Sequence, residues 1–211
     1  MANRSKQKPG ELPIDRSSVS SPMKLTRREV ARRELAKGIR EFFLEGDPVV
    51  VHLLASASRD ISEAVAKSSG IRVFSDAIKD VVLPEYQAAF RKMIKEPYNF
   101  FKHGGSDPNE EVPYFDPASN DMLLLEACSN YEGAFGVSEM EAIVFKTWHA
   151  LTYPDLLNDH GKQLLPEAAL SLLDGMSRSD SLRMARALLD TLDRDPLAFG
   201  QLLPQSSLTK S

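Results

Sequence analysis

The sequence predicts an all-α protein: an antiparallel helical bundle that opens with a long αα-hairpin and closes on short C-terminal helices. Apolar residues recur at three- and four-residue spacing over several long segments. Capping and stop signals bracket those segments. The one strand-like run, Ile78 to Leu83, has no convincing strand partner nearby.

Residues 1–22 are rich in Ser, Lys and Pro and lack aliphatic periodicity, so they read as a flexible tail. Thr26-Arg27-Arg28-Glu29 is a capping-box pattern that starts the first helix. Ala31, Leu35, Ile39, Phe42 and Phe43 form its apolar stripe, and it ends near Gly46. Asp47-Pro48 restarts the chain as a helix, the carboxylate capping free N–H groups and proline suiting the first helical position. The second helix is expected to run to about Lys67 with Val50, Val51, Leu54, Ala57, Ile61 and Val65 inward. The short link makes the two helices antiparallel neighbours.

Ser75-Asp76 opens a short helix, Pro84 restarts one, and Pro97 begins a separate segment through His103 that Gly104-Gly105 break. Residues 104–118 form a loop of prolines, glycines and carboxylates, long enough to carry function. Helix resumes near Ser119, with Met122, Leu124, Leu125, Cys128 and Tyr131 on its apolar side. Ser138-Glu139-Met140-Glu141 is a second capping box, leading a helix with Ile143, Val144 and Trp148 up to Tyr153-Pro154. Two short helices, about 165–174 and 179–192, precede a Pro-containing tail. The expected units are a tail over 1–22, a bundle domain over 23–155, a helical extension over 156–195 and a tail over 196–211.

Length and composition bound the function. At 211 residues the chain buries a full core without metal or disulfide staples. Apolar residues at 42% and charged residues at 27% exclude disordered and fibrous classes. No apolar run approaches the ~18 residues of a membrane span, so no membrane partner is expected. The polar N-terminus has no apolar signal region, and the single cysteine, Cys128, excludes an intramolecular disulfide and fits a reducing cytoplasm. The net charge of −4 hides an asymmetry: residues 1–40 carry +7 and the remainder −11. Arg32 and Arg33 lie in a basic stripe on the first helix, a surface for phosphates or an acidic partner. Interleaved Glu29 and Glu34 leave a plain solvated face as the alternative.

Several chemistries fail on spacing. There is no P-loop, Rossmann phosphate turn, HExxH or Glu-x-x-His pair, and His103-Gly104-Gly105-Ser106 has no accompanying GxSxG elbow. No cofactor is called for, and Cys128 reads as an inert buried thiol. On the second helix, His52, Ser56, Asp60 and Glu63 share one face at spacings of four, four and three. Such a stripe is either an acid/base pair or half a metal site, or the solvent face of an amphipathic helix. The second cluster is Asn99, Lys102 and His103. In a helix Asn99 and His103 point the same way, while Phe100 and Phe101 dock inward and hold the polar groups for phosphate binding or proton transfer. The plain alternative is a helix C-terminus with two cations complementing its dipole.

Two resemblances attach to these residues. Gly46-Asp47-Pro48 through Glu63, with Asn99-Phe100-Phe101-Lys102-His103 and Asp107-Pro108, resembles an uncharacterised bacterial all-helical family over about residues 24–155; it implies kinship without an assigned activity. More distantly, the layout resembles HEPN bundles (higher eukaryotes and prokaryotes nucleotide-binding), many of which are ribonucleases. Asn99 and His103 match the Asn and His of the HEPN motif, whereas Tyr98 stands where its arginine would hold the scissile phosphate. The resemblance implies an RNA- or nucleotide-binding module with weak or no ribonuclease activity, with Asn99 and His103 as the catalytic residues; the residues themselves, not the motif, offer Lys102, Arg32, Arg33, His52 and Asp60 as binding groups. Two alternatives stand beside it. One is a non-enzymatic module, homodimeric or partner-binding, that uses the apolar side of 179–192. The other is a metal-dependent hydrolase with His52, Asp60 and His103 as ligands.

Overall fold

The computed structural model describes residues 23–79, 84–103, 107–112, 114–157 and 175–195. The two tails, the Gly104-Gly105 break and the helix expected over 165–174 lie outside the described residues. Among the described residues the chain is all-helical: α1 (Arg27–Phe43), α2 (Pro48–Ser68), α3 (Phe74–Lys79), α4 (Gln87–Lys102), α5 (Ser119–Phe135), α6 (Met140–Thr152) and α7 (Arg178–Arg194). Short 3₁₀ turns at Pro84–Tyr86 and Pro154–Leu156 adjoin α4 and α6.

α1 starts as its sequence dictates. Thr26 Oγ1 accepts from Glu29 N at 3.2 Å, and the Glu29 carboxylate accepts from Thr26 N at 2.8 Å. The stripe Ala31, Leu35, Ile39, Phe42 and Phe43 is buried throughout. Asp47 caps α2 through Val49 N at 2.8 Å. The hairpin is antiparallel, because Ser58 Oγ donates to Ala31 O at 2.9 Å while a Cβ at Gly38 would lie 3.3 Å from Leu54 Cβ.

α2 differs from its aliphatic pattern. Val50 is exposed, Leu54, Ala57, Ile61 and Val65 are half-buried, and the deepest positions are Val51, His52, Ala55, Ser56, Ser58, Arg59, Ser62 and Ala66. The cause is position: α2 is packed on one side by α1 and on another by α5. A helix sandwiched this way buries two faces, and small side chains let its neighbours approach closely. α5 runs alongside α2 in the same direction, since His52 pairs with Asn120 and Arg59 with Glu126. The intervening α3 and α4 bring the chain back to the starting end.

Two local expectations are corrected. Pro97 does not open a new segment; α4 runs through it from Gln87 to Lys102. A proline inside a helix forfeits one backbone bond, at about 3 kcal/mol, and burial of Pro97 and Tyr98 against the fold offsets that loss. The second capping box does not form: α6 begins at Met140 with Glu139 as an N-cap that makes no side-chain cap bond. Ser138 Oγ donates to Glu132 instead, and Glu139 accepts from the Tyr131 hydroxyl at 2.8 Å.

The core joins α1, α2, α5, α6 and α7 in one cluster. At its centre Phe42 meets Phe145 and Trp148 edge-on, with centroids 5.5 and 5.3 Å apart. Such pairs contribute about 0.5–1.5 kcal/mol each beyond burial. Leu182, Ala185, Leu189 and Leu192 of α7 enter this cluster, so the apolar side of the C-terminal helix packs on its own chain. No described helix is long and apolar enough to cross a membrane.

Candidate functional site

α2, α4 and α5, with Phe74 and the 114–119 segment, enclose a pocket of about 440 Å³. Its walls are mostly apolar: Phe74, Ile94, Pro97, Tyr114, Met122 and Leu123. Four polar side chains join them, His52, Asp116, Ser119 and Glu126. An apolar cleft of this size with a few convergent polar groups is the usual form of a small-ligand site.

His52 sits 3% exposed, its ring edge-on to Phe101 and Phe115 at 5.7 and 5.3 Å. Its protonation follows from a chain of hydrogen bonds. Asn120 Nδ2 donates to Pro48 O at 3.0 Å, which fixes the amide so that Oδ1 faces His52 Nδ1 at 2.9 Å. An amide oxygen only accepts, so Nδ1 carries the proton and Nε2 is left as a bare acceptor. Burial holds the imidazole below its ordinary pKa; the Asn120 bond opposes that shift and the Arg59 charge adds to it. The ring is therefore neutral, and its Nε2 is buried with no hydrogen-bond partner.

Below His52 on the same helix, Ser56 and Arg59 complete a buried stripe with Glu63 at its half-buried end. Arg59 donates from Nε and Nη2 to Asp60 Oδ1 at 3.2 and 3.0 Å. Its Nη1 lies 3.9 Å from Glu126 Oε2, too far for a hydrogen bond. Burial pushes the Glu126 carboxyl up; Arg59 and Lys95 pull it down, and Asp60 and Glu63 push it further up. Ser56 Oγ, Ser62 Oγ and Asn130 Nδ2 are also buried without partners, so the α2–α5 seam is polar and incompletely satisfied.

The residues singled out by sequence divide into three places. His52 is in the pocket wall. Asp60, one residue on from Arg59, is outside the lining and serves as the arginine's partner. Asn99, Lys102 and His103 are exposed at the C-terminal end of α4, with Lys102 Nζ 5.2 Å from the buried Tyr98 ring. Phe101 brings this segment against His52. Arg32 and Arg33 are exposed on α1, beside the residue that Ser58 meets, about 9 Å along α2 from His52. The structure does not gather them with the α4 group. Among the described residues no three metal-ligating side chains come together, so His52 and Asp60 do not assemble the metal centre considered from sequence.

Arg59, Asn120 and Glu126 escaped the sequence reading. The signal was present: His52, Ser56, Arg59 and Glu63 also share a face, at spacings of four, three and four. Glu126 interrupts an apolar run from Met122 to Cys128.

A separate polar centre fastens α7. Arg178 donates to both Asp121 oxygens, at 2.7 and 2.9 Å, and Tyr153 donates to Asp121 at 2.6 Å. The guanidinium lies 5.5 Å from Phe42 and 5.3 Å from Trp148. Cys128 is fully buried and burial pushes its thiol pKa up, which removes it as a nucleophile. Comparison of the chain with known protein families, curated proteins and solved structures finds no match.

Proposed function

We propose that this chain is a small-molecule-binding helical module whose site is the pocket between α2, α4 and α5. The buried, unpartnered Nε2 of His52 in the wall of that pocket carries the reading. A buried acceptor without a donor is costly, and a ligand hydroxyl or N–H supplies the missing partner. Fragment binding followed by ligand-observed NMR tests this, with Ala118→Trp as the blocking variant, because Ala118 is exposed yet lines the pocket. Fragments are expected to bind the natural chain and to lose binding in the variant at an unchanged melting temperature. Equal binding to both proteins, or none to either, contradicts the reading.

The exposed arginines of α1 favour a second reading, RNA or nucleotide binding in a HEPN-like bundle. Arg32 and Arg33 make no ion pair among the described residues, and Asn99, Lys102 and His103 are open to a large partner. Retention of a mixed RNA pool is then expected to fall steeply with salt. It should weaken in Arg32→Glu/Arg33→Glu and in His103→Ala. Salt-insensitive retention, or none, removes this reading. A ribonuclease assay belongs after retention, since Tyr98 replaces the phosphate-holding cation.

A further inference from the structure

Resting on the pocket reading above, we infer that the pocket takes an uncharged, fused-ring aromatic molecule carrying one hydroxyl or N–H donor that ends on His52 Nε2. The acceptor comes first. Nδ1 holds the ring proton against Asn120 Oδ1 at 2.9 Å, so the other edge of the imidazole offers a lone pair and no donor. That nitrogen is buried without a hydrogen-bond partner. The rings packed edge-on against the imidazole, Phe101 and Phe115, come from α4 and the 114–119 segment. Those two parts of the chain also supply the pocket's Ile94, Pro97, Tyr114 and Asp116. Phe101 and Phe115 are themselves half-buried and meet edge-on at 5.1 Å. A flat ring entering from the pocket reaches Nε2 by exchanging one aromatic edge contact for another.

Charge and hydrogen-bond role then separate the head groups. A carboxylate or phosphate brings acceptors only and would set its lone pairs against that of Nε2. An ether or ester would leave the nitrogen unpaired. An ammonium group donates, but it would give up the hydration of a full charge for one neutral acceptor. The Glu126 carboxyl does not make up that loss. It lies about 9 Å along α5 from Asn120, and Arg59 and Lys95 already act on it as counter-charges. Asp116 is exposed, and one of its oxygens caps Ala118 N at 2.9 Å. A neutral O–H or N–H gives up one hydrogen bond to water and regains one on His52.

Size and wall chemistry fix the body. At about 440 Å³ the pocket has roughly three times the volume of an apolar cavity that holds one benzene. Phe74 and Tyr114 add aromatic surfaces, and Ile94, Pro97, Met122 and Leu123 add apolar contact. Tyr114 and Met122 are exposed, so the body enters over an apolar rim. Fused rings fill such a space with no internal rotation to freeze.

Four probes on one naphthalene body, substituted at the same carbon, separate the head groups: naphthol, methoxynaphthalene, naphthoate and naphthylmethylamine. Each is bound to the full chain in equilibrium dialysis. Naphthol is expected to bind at least about tenfold more tightly than each of the others. His52→Phe keeps a ring in place and removes the acceptor; it is expected to erase that advantage and keep the ether's affinity. A second measurement needs no variant. In the natural chain the Nε2 resonance of His52 is expected to move with naphthol and to stay in place with saturating methoxynaphthalene. Binding of the ether or of a charged probe that equals or exceeds that of naphthol, still blocked by Ala118→Trp, overturns the ligand class and leaves the pocket reading standing. A naphthol advantage that survives His52→Phe, or an Nε2 resonance that naphthol leaves unmoved, overturns it too. Failure of all four probes beside a fragment that binds does the same. Failure of the probes and of the fragment library together ends both.

Discussion

Arg59 is 2% exposed, and its charge is balanced within a few ångströms by Asp60 and Glu126. Arg59→Ala would leave Glu126 buried without its nearest cation and open a void in the α2–α5 seam. The expected loss is about 3–5 kcal/mol in urea unfolding; a loss below about 1 kcal/mol would contradict this placement. His52 sets a pH window of definite sign. Its folded pKa lies below the ordinary 6.5, so over the interval between the two values the unfolded chain binds a proton that the folded chain refuses. Stability is therefore full above 6.5 and falls as the pH drops toward the folded pKa; His149, also depressed by burial, adds in the same sense. His52→Gln is expected to flatten the fall of the urea midpoint between about pH 7.5 and 5.5 without abolishing it. The site was half legible at this scale. Spacing marked His52, but helical spacing alone does not say which face is inside, and Asp60 and Arg59 are one residue apart on either side of that boundary.

At the scale of elements, large aliphatics located α1 correctly because α1 buries one continuous stripe. They misplaced the inner face of α2 because a helix packed on two sides is recognised by what is small. Gly38 against Leu54, and Ser58 against Ala31, mark the close approach. Gly38→Leu is expected to wedge α1 from α2 and cost about 1–3 kcal/mol, measured by denaturant unfolding; a neutral result would show that the helices are not in tight contact there. The same limit explains Ser138 and Pro97. Ser138 matches a local cap pattern, yet Glu132 on α5 takes its hydroxyl. Pro97 is a local breaker, yet tertiary burial carries α4 through it.

Over the whole molecule, the all-α class was legible from periodicity, whereas the role of α7 was not. An amphipathic terminal helix looks the same whether it docks on its own chain or on a partner. Here Leu182, Ala185, Leu189 and Leu192 join the core; Arg178 grips Asp121 and Arg40 grips Asp193 and Glu141. Truncation before Arg178 is expected to abolish the cooperative thermal transition and the near-ultraviolet signal of Trp148, whose Nε1 donates to Ser181 at 3.0 Å. A truncated chain that melted as before would restore α7 as an independent docking element.

The joining of these scales rests on one nitrogen. A long-range proton–nitrogen NMR spectrum of the His52 ring at neutral pH reads it directly. The expected result is the Nδ1–H tautomer, with Nε2 unprotonated and its resonance moving when a pocket ligand is added. An Nε2–H tautomer, or an Nε2 signal indifferent to every ligand that binds, would contradict the account.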